Sequence, residues 1–122
     1  MTLEVAGRTS GRIIALPVII AVVAGERDLV SMLGEKVQWA LNIRAAGGKA
    51  VLRAGTREPV LPEDVPVEQR GPILNAYLQR APGARPHIPV NKDAPVADFQ
   101  KIAASFAVFR VCPRAPEPIQ QT

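Results

Sequence analysis

The chain holds one cysteine, Cys112, and one histidine, His87. A single cysteine excludes an internal disulfide framework and a cysteine-based zinc site, and it fits a reducing compartment. A single histidine argues against a metal centre built from protein ligands alone. Aromatic residues are also scarce, at 4%: Trp39, Tyr77, Phe99, Phe106 and Phe109. Stacking platforms for single-stranded nucleic acid need several exposed rings. With no recognition-helix pattern either, no nucleic-acid partner is expected. No apolar run reaches the ~20 residues that a bilayer-spanning helix needs. The longest, Ile13 to Gly25, contains Pro17 and lacks a signal-cleavage pattern. These absences predict a soluble, cytoplasmic protein, with peripheral membrane association left open.

What is present suits one folded domain. The 122 residues are 48% hydrophobic and 21% charged, enough to bury a core without staples. The domain is expected over residues 1–112. Residues 113–122, with three prolines and a polar end, are expected to be a flexible tail. The net charge of +4 favours anionic partners.

Along the chain, Leu3–Ala6 reads as a short strand and Gly7–Arg12 as a tight loop with glycine at both ends. Ile13–Val23 is rich in β-branched residues and predicts one buried strand, with an edge or bulge at Pro17. Ala24–Arg27 reads as a hairpin turn, with Asp28–Met32 returning. The spacing of Trp39, Asn42, Ile43 and Ala46 predicts a helix over 36–46, stopped by Gly47-Gly48. Lys49–Arg53 and Arg57–Leu61 predict a hairpin, followed by a connector at Pro62–Pro66. A second helical region spans 67–80, broken near Gly71-Pro72. A proline-rich loop covers 81–95, a short helix 95–105 and a last strand 106–112. Hairpins dominate over crossovers, which predicts an antiparallel α+β barrel or sheet with appended helices.

If the first three strands are successive neighbours, the Gly7–Arg12 loop and the Leu33–Glu35 turn fall at one end of the sheet. The first supplies Arg8, Arg12, two hydroxyls and backbone donors that suit an anion. The second leads to a helix N-terminus, with Lys36 beside it. Together they predict a phosphate or polycarboxylate site, set against the plain reading of Arg8 and Arg12 as solvated turn residues. Arg44, Lys49, Arg53 and Arg57 form a basic stretch, read either as a solvated face or as a second anionic contact. Catalytic side chains are few. If the protein is an enzyme, a cofactor must carry the chemistry.

The order of several short motifs is informative. It runs Gly7-Arg8-x-Ser10-Gly11-Arg12 with Pro17, Leu29-Val30-Ser31-Met32-Leu33-Gly34-Glu35, and Trp39-x-x-Asn42-Ile43-Arg44-Ala45-Ala46-Gly47-Gly48. It continues with Ala84-Arg85-Pro86-His87-Ile88-Pro89-Val90 and Val108-Phe109-Arg110-Val111. Over residues 2–111 this series resembles the deazaflavin-dependent nitroreductase family. The resemblance implies a split β-barrel like that of FMN-binding proteins, and binding of coenzyme F-420. It also implies hydride transfer from the reduced deazaflavin to a small organic acceptor: a quinone, a nitro-compound or an activated alkene.

On this resemblance, Arg8, Thr9, Ser10, Gly11, Arg12 and Lys36 are the expected contacts to the cofactor's phosphate and glutamate tail. Pro17, Ser31, Met32, Leu33, Gly34 and Trp39 are expected along its ring, and Tyr77 and His87 on the substrate side. From the residues alone, Trp39 and Tyr77 read first as core residues. The family often has a basic residue where Thr9 stands, and an arginine where Ile14 stands. Its members usually carry a helical segment before the first strand, and this chain starts almost on that strand. Related groups bind FMN, heme or biliverdin. FMN is therefore the alternative cofactor, and a non-catalytic barrel holding a flavin, a fatty acid or a tetrapyrrole is the alternative function.

Overall fold

The structure is a computed structural model that describes residues 1–34, 37–45, 49–84 and 86–113. Strand β1 (Thr2–Ala6) leads into the Gly7–Arg12 loop, turned by Gly11 at φ 72°, and returns as β2 (Ile13–Pro17) with Leu3 opposite Leu16. The single buried strand expected over 13–23 is two strands. Proline has no amide donor for a ladder, and β2 ends at Pro17. The chain crosses at Val18-Ile19 and resumes as β3 (Ile20–Val23), which pairs with β4 (Glu26–Val30) through a turn in which Ala24 and Gly25 both take positive φ. Most of β2 is exposed, Ile13 by 64% and Ile14 by 43%, whereas Ile20 and Ala21 are buried.

Helix α1 (Gln38–Ala45) falls inside the predicted span, and its predicted stop at Gly47-Gly48 lies outside the described residues. Next come β5 (Ala50–Ala54) and β6 (Thr56–Asp64), joined at Gly55. Strand β6 absorbs most of the expected connector despite Pro59 and Pro62. The reason is its pairing: Thr56–Val60 faces β5, while Val60–Asp64 faces β7 (Val108–Pro113). Each proline therefore has a ladder on one side only, where a missing donor is tolerated. The sheet order is β2-β1-β5-β6-β7-β4-β3, and every pairing is antiparallel. The result is a curled half-barrel with helices, so the expected α+β split-barrel fold stands.

One face of the curl encloses Leu3, Val5, Leu29, Leu52, Val60 and Phe109, capped by Ala40 and Ile43 of α1. Trp39 tilts against the Phe109 ring at 5.7 Å, and the Arg44 guanidinium lies 5.3 Å from the same ring while bridging Asp64 at 2.8 Å. The other face, at β3 and β4, packs under α2 (Arg70–Arg80) and α3 (Val96–Lys101) through Ile73, Leu74, Leu78 and Phe99. The break in the second helical region comes just before Gly71. A 3-10 turn at Val67–Gln69 precedes α2. Among the described residues, no helix is long and apolar enough to cross a membrane.

Two charge expectations change. The basic stretch has acidic partners from elsewhere in the chain: Arg57 and Arg53 flank the buried Glu4 at 2.7 and 3.6 Å, and Arg44 meets Asp64. The meeting of two anion-ready loops assumed three neighbouring strands. Instead, β2 and β3 lie at opposite edges of the sheet, and Glu35 and Lys36 lie outside the described residues.

Candidate functional site

The split between β2 and β3 opens a cleft of about 420 Å³. Its walls come from four places: the β2–β3 crossing (Leu16 to Ile19), the exit of β4 (Val30 to Leu33), Trp39 at the start of α1, and the end of α2 with the turn beyond it (Tyr77, Ala81, Gly83, Ala84). Of the residues expected at a cofactor, it gathers Pro17, Ser31, Met32, Leu33 and Trp39, with Tyr77 from the expected substrate side. Leu16, Val18, Ile19, Val30, Ala81, Gly83 and Ala84 were not among the expected site residues. The last three are small residues whose only signal is that they leave room, and that is visible only once α2 is placed.

Among the described residues, no lining residue is charged. The polar side chains in the wall are Ser31 and Tyr77, with the indole of Trp39. Burial pushes the Tyr77 hydroxyl above its ordinary value, so it stays protonated. Ser31 is 2% exposed, and its hydroxyl has no partner among the described residues. Its backbone is fully used: the amide donates to the Ala107 carbonyl at 2.9 Å, and its carbonyl accepts from Gly34 at 3.4 Å. Gly34 closes that turn at φ 132° without entering the cleft wall.

The Gly7–Arg12 loop is not in the cleft wall. Most of its amide donors are used inside the protein. Gly7 donates to the Arg12 carbonyl at 2.8 Å, Gly11 to Gly7 at 2.9 Å, and Arg12 to the Ser10 hydroxyl at 3.2 Å. Asn42, 3% exposed on α1, accepts the Arg8 amide at 3.1 Å and the Arg8 Nη1 at 2.7 Å through the same Oδ1. Thr9, Ser10 and the Arg12 side chain are exposed. Asn42 stands three residues after Trp39, on the same side of the helix and ~4.5 Å further along its axis. The loop thus touches α1 beyond Trp39, while along β2 Arg12 stands four residues, about 13 Å, before Leu16.

His87 is exposed and outside the cleft wall. Burial and the neighbouring Glu63 hold the Cys112 thiol above its ordinary pKa, which disfavours the thiolate. Among the described residues no cluster of His, Cys, Asp or Glu could hold a metal ion. The described lining suits a largely apolar group, with the Ser31 hydroxyl available for a hydrogen bond.

No protein-family pattern matches the chain, and no curated protein does. Among solved structures, it is similar to the conserved hypothetical protein Rv2991 from Mycobacterium tuberculosis, with a TM-score of 0.62 and 21% identity. The match covers 93% of this chain and 72% of that one. It establishes a shared fold.

Proposed function

We propose that this chain is a deazaflavin-dependent oxidoreductase. In this reading it holds coenzyme F-420 and transfers a hydride from the reduced cofactor to a small organic acceptor such as a quinone, a nitro-compound or an activated alkene. The observation that carries the reading is a cleft whose described lining is uncharged and includes a buried Ser31 hydroxyl with no partner among the described residues, beside a helix that also holds the cationic loop. A neutral ring needs apolar walls and a polar group for its edge, and an anionic arm needs a cation beyond them. The residues present fit such a group.

When bound, the deazaflavin supplies the hydride. The chain's own part is to bind, orient and exclude water. Leu16, Val18, Val30 and Met32 shield the ring space, Trp39 limits it at the α1 end, and Ser31 offers a hydrogen bond. Tyr77, held protonated, faces the same space and is the one titratable side chain there. No acid–base step is assigned to it. A cytoplasmic location and FMN as the alternative cofactor belong to the same reading.

A second reading, a non-catalytic barrel that holds a flavin, a fatty acid or a tetrapyrrole, is favoured by Thr9 and Ile14, which stand where the resembled family often has basic residues. A titration separates the two. Coenzyme F-420 is expected to bind more tightly than FMN, a fatty acid or heme, and the reduced cofactor to be consumed when a quinone or nitro-compound is added. Gly83→Phe, which starts from a position where an added Cβ meets nothing within 4 Å, is expected to crowd the cleft and weaken binding without unfolding the protein. Tight binding of heme or fatty acid, with none of F-420, would establish the second reading instead.

A further inference from the structure

Resting on the proposed ligand reading, we infer that Asn42 is a positioning residue that divides the work of the two loop arginines. By accepting both the amide and the guanidinium of Arg8, it makes Arg8 a strut and leaves Arg12 as the cation that meets the ligand's anionic arm.

Three observations lead there. First, Asn42 is 3% exposed, yet its Oδ1 reaches a residue 34 positions away, at 3.1 Å to the Arg8 amide and 2.7 Å to its Nη1. A buried amide oxygen that accepts two donors, one of them charged, holds a fixed geometry better than a solvated pair does. Second, the other loop bonds stay within the loop. Those of Gly7, Gly11 and Arg12 all end on loop atoms, so the two bonds to Asn42 fix where the loop sits against α1. Third, both arginines are exposed, but the Arg12 guanidinium has no partner among the described residues, whereas the Arg8 guanidinium already spends a donor on Asn42. Because Trp39 lines the cleft on the same face of α1, the helix sets the span between the neutral ring space and the cation. A ligand is then selected for the distance between its ring and its charge as well as for each separately.

The test is a double-mutant cycle on the full chain with two readouts. The first is the affinity for coenzyme F-420 relative to its uncharged deazaflavin core, measured with Arg12→Ala, Arg8→Ala, Asn42→Ala and the double variant Arg8→Ala/Asn42→Ala. Arg12→Ala is expected to lower the affinity for F-420 by about tenfold, the usual cost of a lost charge-assisted contact, and to leave the core's affinity unchanged. Arg8→Ala, which keeps the backbone amide bond to Asn42, is expected to lower it less than Asn42→Ala, which loses both bonds, and the double variant to lower it no more than Asn42→Ala alone.

The second readout needs no ligand: the rate of trypsin cleavage after Arg12. It is expected to rise in Arg8→Ala, which keeps the backbone amide bond to Asn42, to rise further in Asn42→Ala, which loses both bonds, and to rise no further when the two are combined. Asn42→Asp keeps the acceptor and is expected to keep the loop protected, which covers the case in which Asn42→Ala folds poorly. Additive effects of Arg8 and Asn42 in either readout would overturn the coupling. An Arg12→Ala variant that binds F-420 like wild type would overturn the division of labour. If wild type binds neither probe, the ligand reading falls and the anion role with it, while the trypsin cycle still decides whether Asn42 holds the loop through Arg8.

Discussion

Asp28 on β4 and Arg110 on β7 stand opposite one another in the ladder, yet the Asp28 Oδ1 and the Arg110 Nε lie 3.7 Å apart and neither atom has a hydrogen-bond partner among the described residues. Asp28 is fully buried. Burial raises its pKa above the ordinary carboxyl value, and the Arg110 charge only partly offsets this. The protonated acid is therefore better tolerated in the native state than the anion. Its contribution is most favourable below the ordinary carboxyl value and is lost as pH rises through the raised native value. Asp28→Asn is expected to stabilise the fold by about 1 kcal/mol at neutral pH and to make little difference at strongly acid pH. Glu63, opposite Arg110 on β6, remains to face the guanidinium. Urea denaturation at the two pH values checks this, and a destabilised variant at neutral pH contradicts it.

Glu58 should behave in the opposite sense. Arg27 grips it with two bonds, at 2.9 and 2.6 Å, and holds its carboxyl below the ordinary value. That stability is present above the ordinary carboxyl range and is lost as pH falls through the lowered native value. Both side chains are partly exposed, so Glu58→Gln is expected to cost under about 1 kcal/mol at neutral pH and nothing at strongly acid pH. The same denaturation series reads both variants, and their pH slopes should differ in sign.

Arg70 is 5% exposed and donates to the carbonyls of Val65 at 2.8 Å and Phe106 at 2.9 Å. It thereby clasps the segments flanking α2 and β7 without touching the cleft. Arg70→Met leaves those carbonyls unpaired and is expected to destabilise the protein by about 3 kcal/mol, with ligand affinity unchanged in the fraction that stays folded. Thermal melting followed by circular dichroism, with a titration below the melting range, measures both.

Ser31→Ala removes a buried hydroxyl that has no partner in the free protein. The free protein should therefore be unchanged or slightly more stable, since the hydroxyl's desolvation is relieved. Ligand affinity should fall by about tenfold if the ring edge uses that hydroxyl. Melting curves with and without coenzyme F-420 separate the two effects. Equal ligand-induced shifts in the variant and the wild type would remove Ser31 from the site.

His87→Ala is expected to retain most activity, because His87 is exposed and stands outside the cleft wall. Steady-state turnover with cofactor binding measured in parallel decides this. A complete loss of turnover with binding intact would make His87 a catalytic group.

Much of the local structure was legible in the residues. The Gly7–Arg12 loop, the turn at Ala24-Gly25, the amphipathic start of α1 and the hairpin at Gly55 each follow from short-range chemistry: positive φ, helical spacing and alternation. Where the reading failed, long-range pairing was responsible. Ile13–Val23 looks like one buried strand because every residue in it is compatible with a sheet interior. Only the pairing of its first half with β1 and its second half with β4 sends the halves to opposite edges.

The sequence by itself determined the fold class, an antiparallel barrel with appended helices, because apolar patterning and turn chemistry act over a few residues. It also limits the catalytic side chains, because it holds one histidine and one cysteine. Only the tertiary structure decided where a ligand would sit. The cleft exists because Pro17 ends β2, the chain crosses over at Val18-Ile19, and small residues at the end of α2 leave space opposite. The partners of the charges were decided at the same level: Glu4 between Arg53 and Arg57, Asp64 beside Arg44, Arg8 on Asn42. Such pairs join residues 20 to 53 positions apart, and no local rule of spacing reaches that far.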